Sequence, residues 1–219
     1  ALMRQEVEAM LDLGVITPSR SQWSSSLLLV RKASGEWRPC VDYRQVNAIT
    51  KGESFPLPRL DDLIDQVGNA PFITTLDLSK GYWQIEMTPR AREISAFTTP
   101  FGHYEFVTMP FGLKLAPMTF QRAMNEVLTG LSDFAVAYLD DISIRSSDWE
   151  DHLRHVAIVF QRLTSWGLTL NARKCVLAGG SVHYLGYQVG SGLVAPVQAK
   201  VEAVEQIPLP STKKEVRSF

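Results

Sequence analysis

Long apolar runs are missing from this sequence. No stretch approaches the roughly 20 residues needed to cross a bilayer, and the opening residues, ALMRQEVEAMLDLG, carry charge throughout, unlike a signal peptide. Cysteine is scarce. Cys40 and Cys175 stand far apart, outside any ligand-spaced cluster, so their spacing argues against a zinc site, no disulfide is needed, and both read as buried small apolar residues. Excess positive charge is absent as well: 22 Lys+Arg against 23 Asp+Glu give a formal net charge of −1, so no global field announces a nucleic-acid partner. Neither a G-x-S-x-G elbow nor a phosphate-cradling G-x-x-x-x-G-K-[ST] loop occurs, and there is no repeat or low-complexity segment.

What is present is an ordinary globular composition, 45% hydrophobic and 21% charged over 219 residues, enough for one large core or two joined subdomains. Charge is also locally uneven. Arg31, Lys32, Arg38, Arg44, Lys51 and Arg59 fall within thirty residues, which could supply a phosphate-facing patch.

Met3, Val7, Met10 and Leu11 at helical spacing predict a helix ended by Gly14. SLLLVRK at 26–32 and EWRPCVDY at 36–43 predict a hairpin about Ser34-Gly35. Leu60, Leu63, Ile64 and Val67 mark a helix, and FITTLDL at 72–78 a strand ending in Asp77. Between 85 and 108 the runs IEM, ISAFTT and HYEFVTM predict three β segments separated by TPRAR and PFG. A helix should start near Pro117, and FAVAYL and ISI should be strands meeting at Asp140-Asp141. Ser147 and Glu150 fit a capping box opening a helix to Gly167, with Leu153, Val156, Phe160 and Leu163 as its apolar stripe and His152 and His155 on a solvated face. A β pair near LTL and VHYLGYQV closes the region. The tail PLPSTKKEVRSF breaks off in what reads as a new helix, as if the chain were truncated. This order suits an α+β fold, an antiparallel sheet covered by helices on one face.

An Asp-Asp pair in a turn is by default a solvated turn. Here AVAYL and ISI would hold both charges against an apolar sheet, where repulsion raises a pKa unless a cation neutralises them. Asp77 also ends an apolar strand, and adjacent central strands would bring it beside Asp140. Three carboxylates with oxygen-only ligation suit Mg²⁺, and two such ions about 3.5–4 Å apart perform phosphoryl transfer.

VDYRQVN, FPLPRLDDLI, LDLSKGYWQI, AFTTPFGHYEF, MPFGLKLAPMTFQ, YLDD and VHYLGY, in that order, resemble the reverse transcriptase domain of Gypsy-type LTR retrotransposons, relatives of retroviral polymerases. The resemblance implies right-hand polymerase fingers and palm with a truncated thumb: 1–75 mainly fingers, 76–190 mainly palm with a fingers insertion about 85–110, and 191–219 leading into the thumb. It implies DNA synthesis on an RNA or DNA template from dNTP and a primer, with two Mg²⁺ ions or Mn²⁺ as a substitute. Asp77, Asp140 and Asp141 match the catalytic metal ligands, and Lys174 the lysine that protonates the pyrophosphate. Tyr82 matches the steric gate against ribose, Arg38 the triphosphate grip with Arg31 or Lys32 as its companion, Phe111 and Gly112 the nucleotide border, and Leu185 and Gly186 the primer grip.

The family also implies ribonuclease H and integrase in the same polyprotein, and an intracellular, cytoplasmic place in a retroelement particle. Three residues depart from its pattern: Trp83 for histidine, Leu115 for asparagine and Ser26 for proline. Leu115 is expected to remove a hydrogen-bonding group near the nucleotide pocket. That loss, with the near-neutral charge and short thumb, motivates the alternative of a non-catalytic nucleic-acid-binding domain. A metal-dependent nuclease would share the carboxylates but leave the arginine grip and steric gate without a purpose.

Overall fold

Alternating and helical periodicities resolve, in the computed structural model, into three sheets and six helices among the described residues, 2–31, 35, 37–53, 55–198 and 202. In chain order the elements are α1 (Leu2–Asp12), β1 (Ile16–Pro18), β2 (Ser25–Arg31), β3 (Trp37–Asp42), α2 (Arg44–Ile49), α3 (Leu60–Gly68) and β4 (Phe72–Asp77). After a 3₁₀ turn at Gly81–Gln84 follow α4 (Pro89–Ile94), β5 (Phe97–Thr99), β6 (Gly102–Phe106), α5 (Ala116–Val127), β7 (Ala135–Tyr138) and β8 (Asp141–Ser146). The last are α6 (Trp149–Ser165), β9 (Val176–Gly179), β10 (Val182–Tyr184), β11 (Tyr187–Gly190) and β12 (Leu193–Pro196). Lys32, and the segment expected to open the thumb beyond residue 198 apart from Glu202, lie outside the described residues.

The central sheet has the order β7-β8-β4-β9 and is antiparallel throughout. Period-2 alternation splits its side chains. Leu76, Ile142, Ile144, Ala135 and Ala137 face a core completed by Phe120, Met124 and Val127 of α5 and Val159 and Leu163 of α6. Completely buried side chains of this size contribute about 1.5–3 kcal/mol each. Ile73, Val136 and Tyr138 join a second cluster with Leu63, Ile64 and Val67 of α3 and Val182, Tyr184 and Val189 of the β10-β11-β12 sheet. The remaining sheet runs β1-β6-β5-β2-β3, with a single parallel pair, β2 on β5, and packs on α1 through Val7, Met10, Leu27, Val41 and Phe97. Among the described residues no helix is long and apolar enough to cross a membrane.

Several expectations change. TPRAR is not a separator but the start of α4, because Thr88 caps it by accepting from Ala91 N–H and Pro89 suits the first turn. IEM contributes only the isolated bridge Glu86↔Thr108, and LTL only Leu78↔Leu170. α2 and β1 went unrecognised because short elements carry too little periodicity. Asp148, not Ser147, caps α6 by accepting from Asp151 N–H. That cap comes with a shifted buried face: Leu153 and Phe160 are exposed, while His152, Val159 and Leu163 are buried. Cys40 and Cys175 are free thiols, only partly covered.

His152 is therefore no solvated residue. Its ring is hydrogen-bonded to Thr74 Oγ1 at 2.8 Å through Nε2 and to Ser146 Oγ at 2.9 Å through Nδ1, and Ser146 also meets His155 Nδ1 at 2.8 Å. His155 stacks on Phe134 with centroids 3.9 Å apart. One pattern leaves no hydroxyl proton idle: Ala178 N–H donates to Thr74, Thr74 to His152 Nε2, His152 Nδ1–H to Ser146, and Ser146 to His155. Both rings are neutral in it. Protonating either ring forces the hydroxyl opposite, Thr74 or Ser146, to accept where it had donated, which strips its own proton of the nitrogen it had been donated to. Burial, followed by the neighbouring histidine for His152 and by Arg154 for His155, lowers both pKa values.

At these two rings the unfolded chain then binds more protons than the native one, so their contribution to stability is full above the ordinary histidine range and is lost as pH falls below about 6.5. Other titrating groups are common to the parent and a His152→Gln variant, so the test is the difference between them in denaturant titrations from pH 8 to pH 5: the parent should lose more stability than the variant over that range. Equal slopes in the two would refute the account.

Candidate active site

β4 and β8 pair so that Asp77 and Asp141 are direct Cα partners at the end of the ladder. Asp140 occupies the tip of the β7-β8 hairpin, since Tyr138 pairs with Asp141 and leaves only Leu139 and Asp140 to turn. Leu139 has φ +52°, a conformation costly for a branched side chain. Gln121 holds it. This fully buried side chain of α5 accepts from Leu139 N–H at 2.8 Å and donates to Ala137 O at 2.9 Å. On the β4 side, Leu78 N–H donates to Asp140 O at 3.2 Å and Asn171 N–H to Asp77 O at 2.8 Å. Gly81 lets the chain pass close to the hairpin tip: a Cβ there would stand a tight 3.1 Å from both Asp140 Cβ and Phe120 Cζ.

Three carboxylates now share one corner of the sheet. Burial, reinforced by the charges of Asp140 and then Asp77, pushes the Asp141 carboxyl up to about 6. Lys174 partly offsets that field: its Nζ donates to Asp77 Oδ2 at 3.0 Å, and this bond raises the lysine pKa. As they stand the acids are not a closed ligand set, for among the described residues no three His, Cys, Asp or Glu side chains are gathered tightly enough to hold a metal. The Asp77 carboxylate is engaged by an ammonium group instead. The donor set still fits a hard divalent cation: oxygen-only, crowded with like charge, and already attracting a cation.

Tyr82 follows Asp77 through the 3₁₀ turn and packs its ring on Phe111 (4.9 Å) and Phe120 (5.2 Å). Burial and then the Asp140 charge raise its phenol pKa. A cleft of about 860 Å³ opens alongside, lined by Trp37, Arg38, Lys80, Trp83, Phe111 and Gly112 among others. Gly112 has φ +93°, and Asn47 fixes it by donating to Gly112 O while accepting from Lys114 N–H, both at 2.8 Å. Arg31 lies at the end of β2, its Nε donating to Gly35 O at 3.3 Å, outside this cleft. Leu185 and Gly186, with φ of +50° and +84°, form the two-residue turn between β10 and β11.

Sequence reasoning missed Gln121 and Asn47. The signal for the first was a polar residue on the apolar face of α5, beside Phe120 and Met124. Leu115 stands at the start of α5. It is the N-cap residue of α5 and makes no side-chain capping bond. It lines a separate cleft of about 360 Å³ with Ile85, Met87, Met109 and Leu113. Its backbone is already helical, φ −94° and ψ −6°, and Pro117 has no N–H to be capped. The departure thus touches helix initiation.

The three sheets and their helices make up the fingers and palm of a right-hand polymerase, the class this fold defines. The chain matches the family described as Reverse transcriptase (RNA-dependent DNA polymerase) over residues 30–189, and it belongs to that family. It is 38% identical over 223 residues to the retrovirus-related Pol polyprotein from transposon 297 of Drosophila melanogaster, across 99% of this chain and 21% of that polyprotein. It is 34% identical to the enzymatic polyprotein of cauliflower mosaic virus (strain Strasbourg), across 98% of this chain and 32% of that one. The foamy viral protease-reverse transcriptase dRH, solved in complex with double-stranded DNA, shares the fold with a TM-score of 0.90 over 99% of this chain and 38% of its own, at 24% identity. The chain spans only about a fifth to a third of these curated relatives.

Leu115→Asn should leave the KM for nucleotide unchanged and raise stability by at most about 1 kcal/mol. A lower KM would restore Leu115 to the nucleotide site.

Proposed function

We propose that this chain synthesises DNA on an RNA or DNA template by two-metal nucleotidyl transfer from a dNTP to a primer 3′-hydroxyl. The observation that carries the reading is the pairing of Asp77 with Asp141 beside the tip residue Asp140, with Tyr82 packed on Phe111, which lines the arginine-bearing cleft. Asp77, Asp140 and Asp141 would hold the cations. Two Mg²⁺ ions, or Mn²⁺ in their place, would lower the pKa of the primer hydroxyl and offset charge on the departing pyrophosphate.

The remaining work falls to the chain's own groups. Arg38 has no ion-pair partner among the described residues, and its planar guanidinium would take the triphosphate through paired hydrogen bonds. Arg31 or Lys32 would be its companion from the hairpin. Lys174 keeps its proton at neutral pH while on Asp77 and would give it to the leaving pyrophosphate. Tyr82, braced by two phenylalanines, would crowd a ribose 2′-hydroxyl. Phe111 and Gly112 would border the nucleotide, and the Leu185-Gly186 turn would hold the primer end. In this reading residues 1–75 and about 85–110 make the fingers, the rest to 190 the palm, and 191–219 lead into the thumb. Ribonuclease H and integrase would flank the chain in one polyprotein.

Primer extension on an RNA template with Mg²⁺ tests the assignment: Asp140→Asn should abolish it, and extension equal to the parent would remove the carboxylates from the chemistry. Tyr82→Val should incorporate ribonucleotides about tenfold more readily, within the range a lost steric contact commands. Unchanged sugar discrimination would defeat the gate.

A further inference from the structure

Lys80, inside the LDLSKGYWQI segment, is a cation of the cleft to which neither the family resemblance nor the reading above gives a role. It lies three positions after Asp77 and two before Tyr82, and lines the 860 Å³ cleft together with Arg38, Phe111 and Gly112. Its backbone is pinned on both sides: Ser79 N–H donates to Thr169 O at 2.9 Å and Trp83 N–H to Lys80 O at 2.8 Å. The residue itself is left-handed, with φ +51° and ψ +45°, a conformation glycine would adopt at less cost. Strain of this kind collects at ligand sites.

The side chain, by contrast, is free to move. Lys80 is exposed and has no carboxylate partner among the described residues; its Nζ rests over the Trp83 ring at 4.8 Å from the centroid. Trp83 is one of the departures from the family pattern, and a neutral histidine would offer a poorer cation platform. A cation on an exposed aromatic face is held more weakly than one in a charge-assisted hydrogen bond, so an anion in the cleft would draw the ammonium off the ring. The cleft is suited to one. Arg38 and Lys80 are its cations, and Glu6 is the one acid in its wall.

We propose that Lys80 is a further cation for the triphosphate of the incoming nucleotide, acting with Arg38 from the opposite side of the chain to the hairpin cation and resting on Trp83 while the cleft is empty. This rests on the polymerase reading above and adds to it a residue that sets nucleotide affinity. A point charge on a flexible stem suits a polyphosphate whose outer groups move as pyrophosphate departs. The same contact should hold free pyrophosphate, which occupies the same phosphate positions.

The test is single-nucleotide incorporation on a template-primer with the parent, Lys80→Gly and Lys80→Arg. Glycine fits the left-handed backbone, so that variant should melt no lower than the parent. Its KM for dNTP should rise about tenfold, the loss expected for one charged hydrogen bond, with kcat within twofold and template-primer affinity unchanged. The inhibition constant of pyrophosphate should rise in parallel, and arginine should restore most of both. An unaltered KM in Lys80→Gly overturns the proposal. So does a KM rise without any change in pyrophosphate inhibition, which would make Lys80 a mere support for Trp83. Failure of the parent itself to incorporate nucleotide while still binding template-primer would overturn the polymerase reading and this one together.

Discussion

Everything at the candidate site depends on the register of β4 against β8, which puts Asp77 opposite Asp141 at the end of a buried antiparallel ladder. A slip of one strand by one residue would put the two carboxylates on opposite faces of the sheet, because side chains alternate with period two. The register is held by packing on both faces of the sheet, and the cost is like charge brought together in a half-buried corner. The Asp141 carboxyl records that cost in its pKa of about 6. Lys174 is the local response, an ammonium on the carboxylate nearest to it.

The acidic corner works only if its turn is rigid, and the restraint comes from elements remote in sequence. Gln121 of α5 satisfies the amide of a strained Leu139, Gly81 admits Asp140 by lacking a side chain, and Gln84 holds the stretch leading to Lys174 by donating to Thr169 O and accepting from Thr169 N–H. The neighbouring cleft is assembled from both sides of Asp77 in the chain. Asn47 fixes the Gly112 loop, and Tyr43, buried, donates to Ser95 O at 2.8 Å, tying the β3-α2 corner to the end of α4. These are hydrogen bonds across 65 and 52 residues, so the cleft forms only with the whole fold.

Long, strongly periodic segments were readable from sequence. α1, α3, α5 and the strand pair around Asp140-Asp141 follow from spacing alone, as does the ending of α1 at Gly14. Short or mixed segments were not. PRAREI was hidden between β-rich neighbours, and its cap is a single threonine. On α6, Leu153 and Phe160 looked like core because they are apolar, whereas His152 fills the buried position, its two ring nitrogens satisfied by Thr74 and Ser146. A buried polar group is admissible only when its partners are supplied, and those partners sit in two other strands. Leu115, three residues beyond Gly112, opens α5 and lines a different cleft from Gly112, a separation that a linear reading does not carry.

What the sequence determined by itself is the inventory: the acids, the aromatic after them, the arginine-bearing hairpin, the glycines at the turns, and the family to which these in order belong. Periodicity and turn chemistry are local properties, and local properties survive in a linear reading. The tertiary structure alone decided that Asp77 faces Asp141, that Lys174 reaches across 97 residues to Asp77, that Gln121 locks the acidic turn, and that Lys80 shares a cleft with Arg38. Each of these is a contact between distant segments, set by which faces of the sheets are buried against which helices, and no window along the chain contains that information.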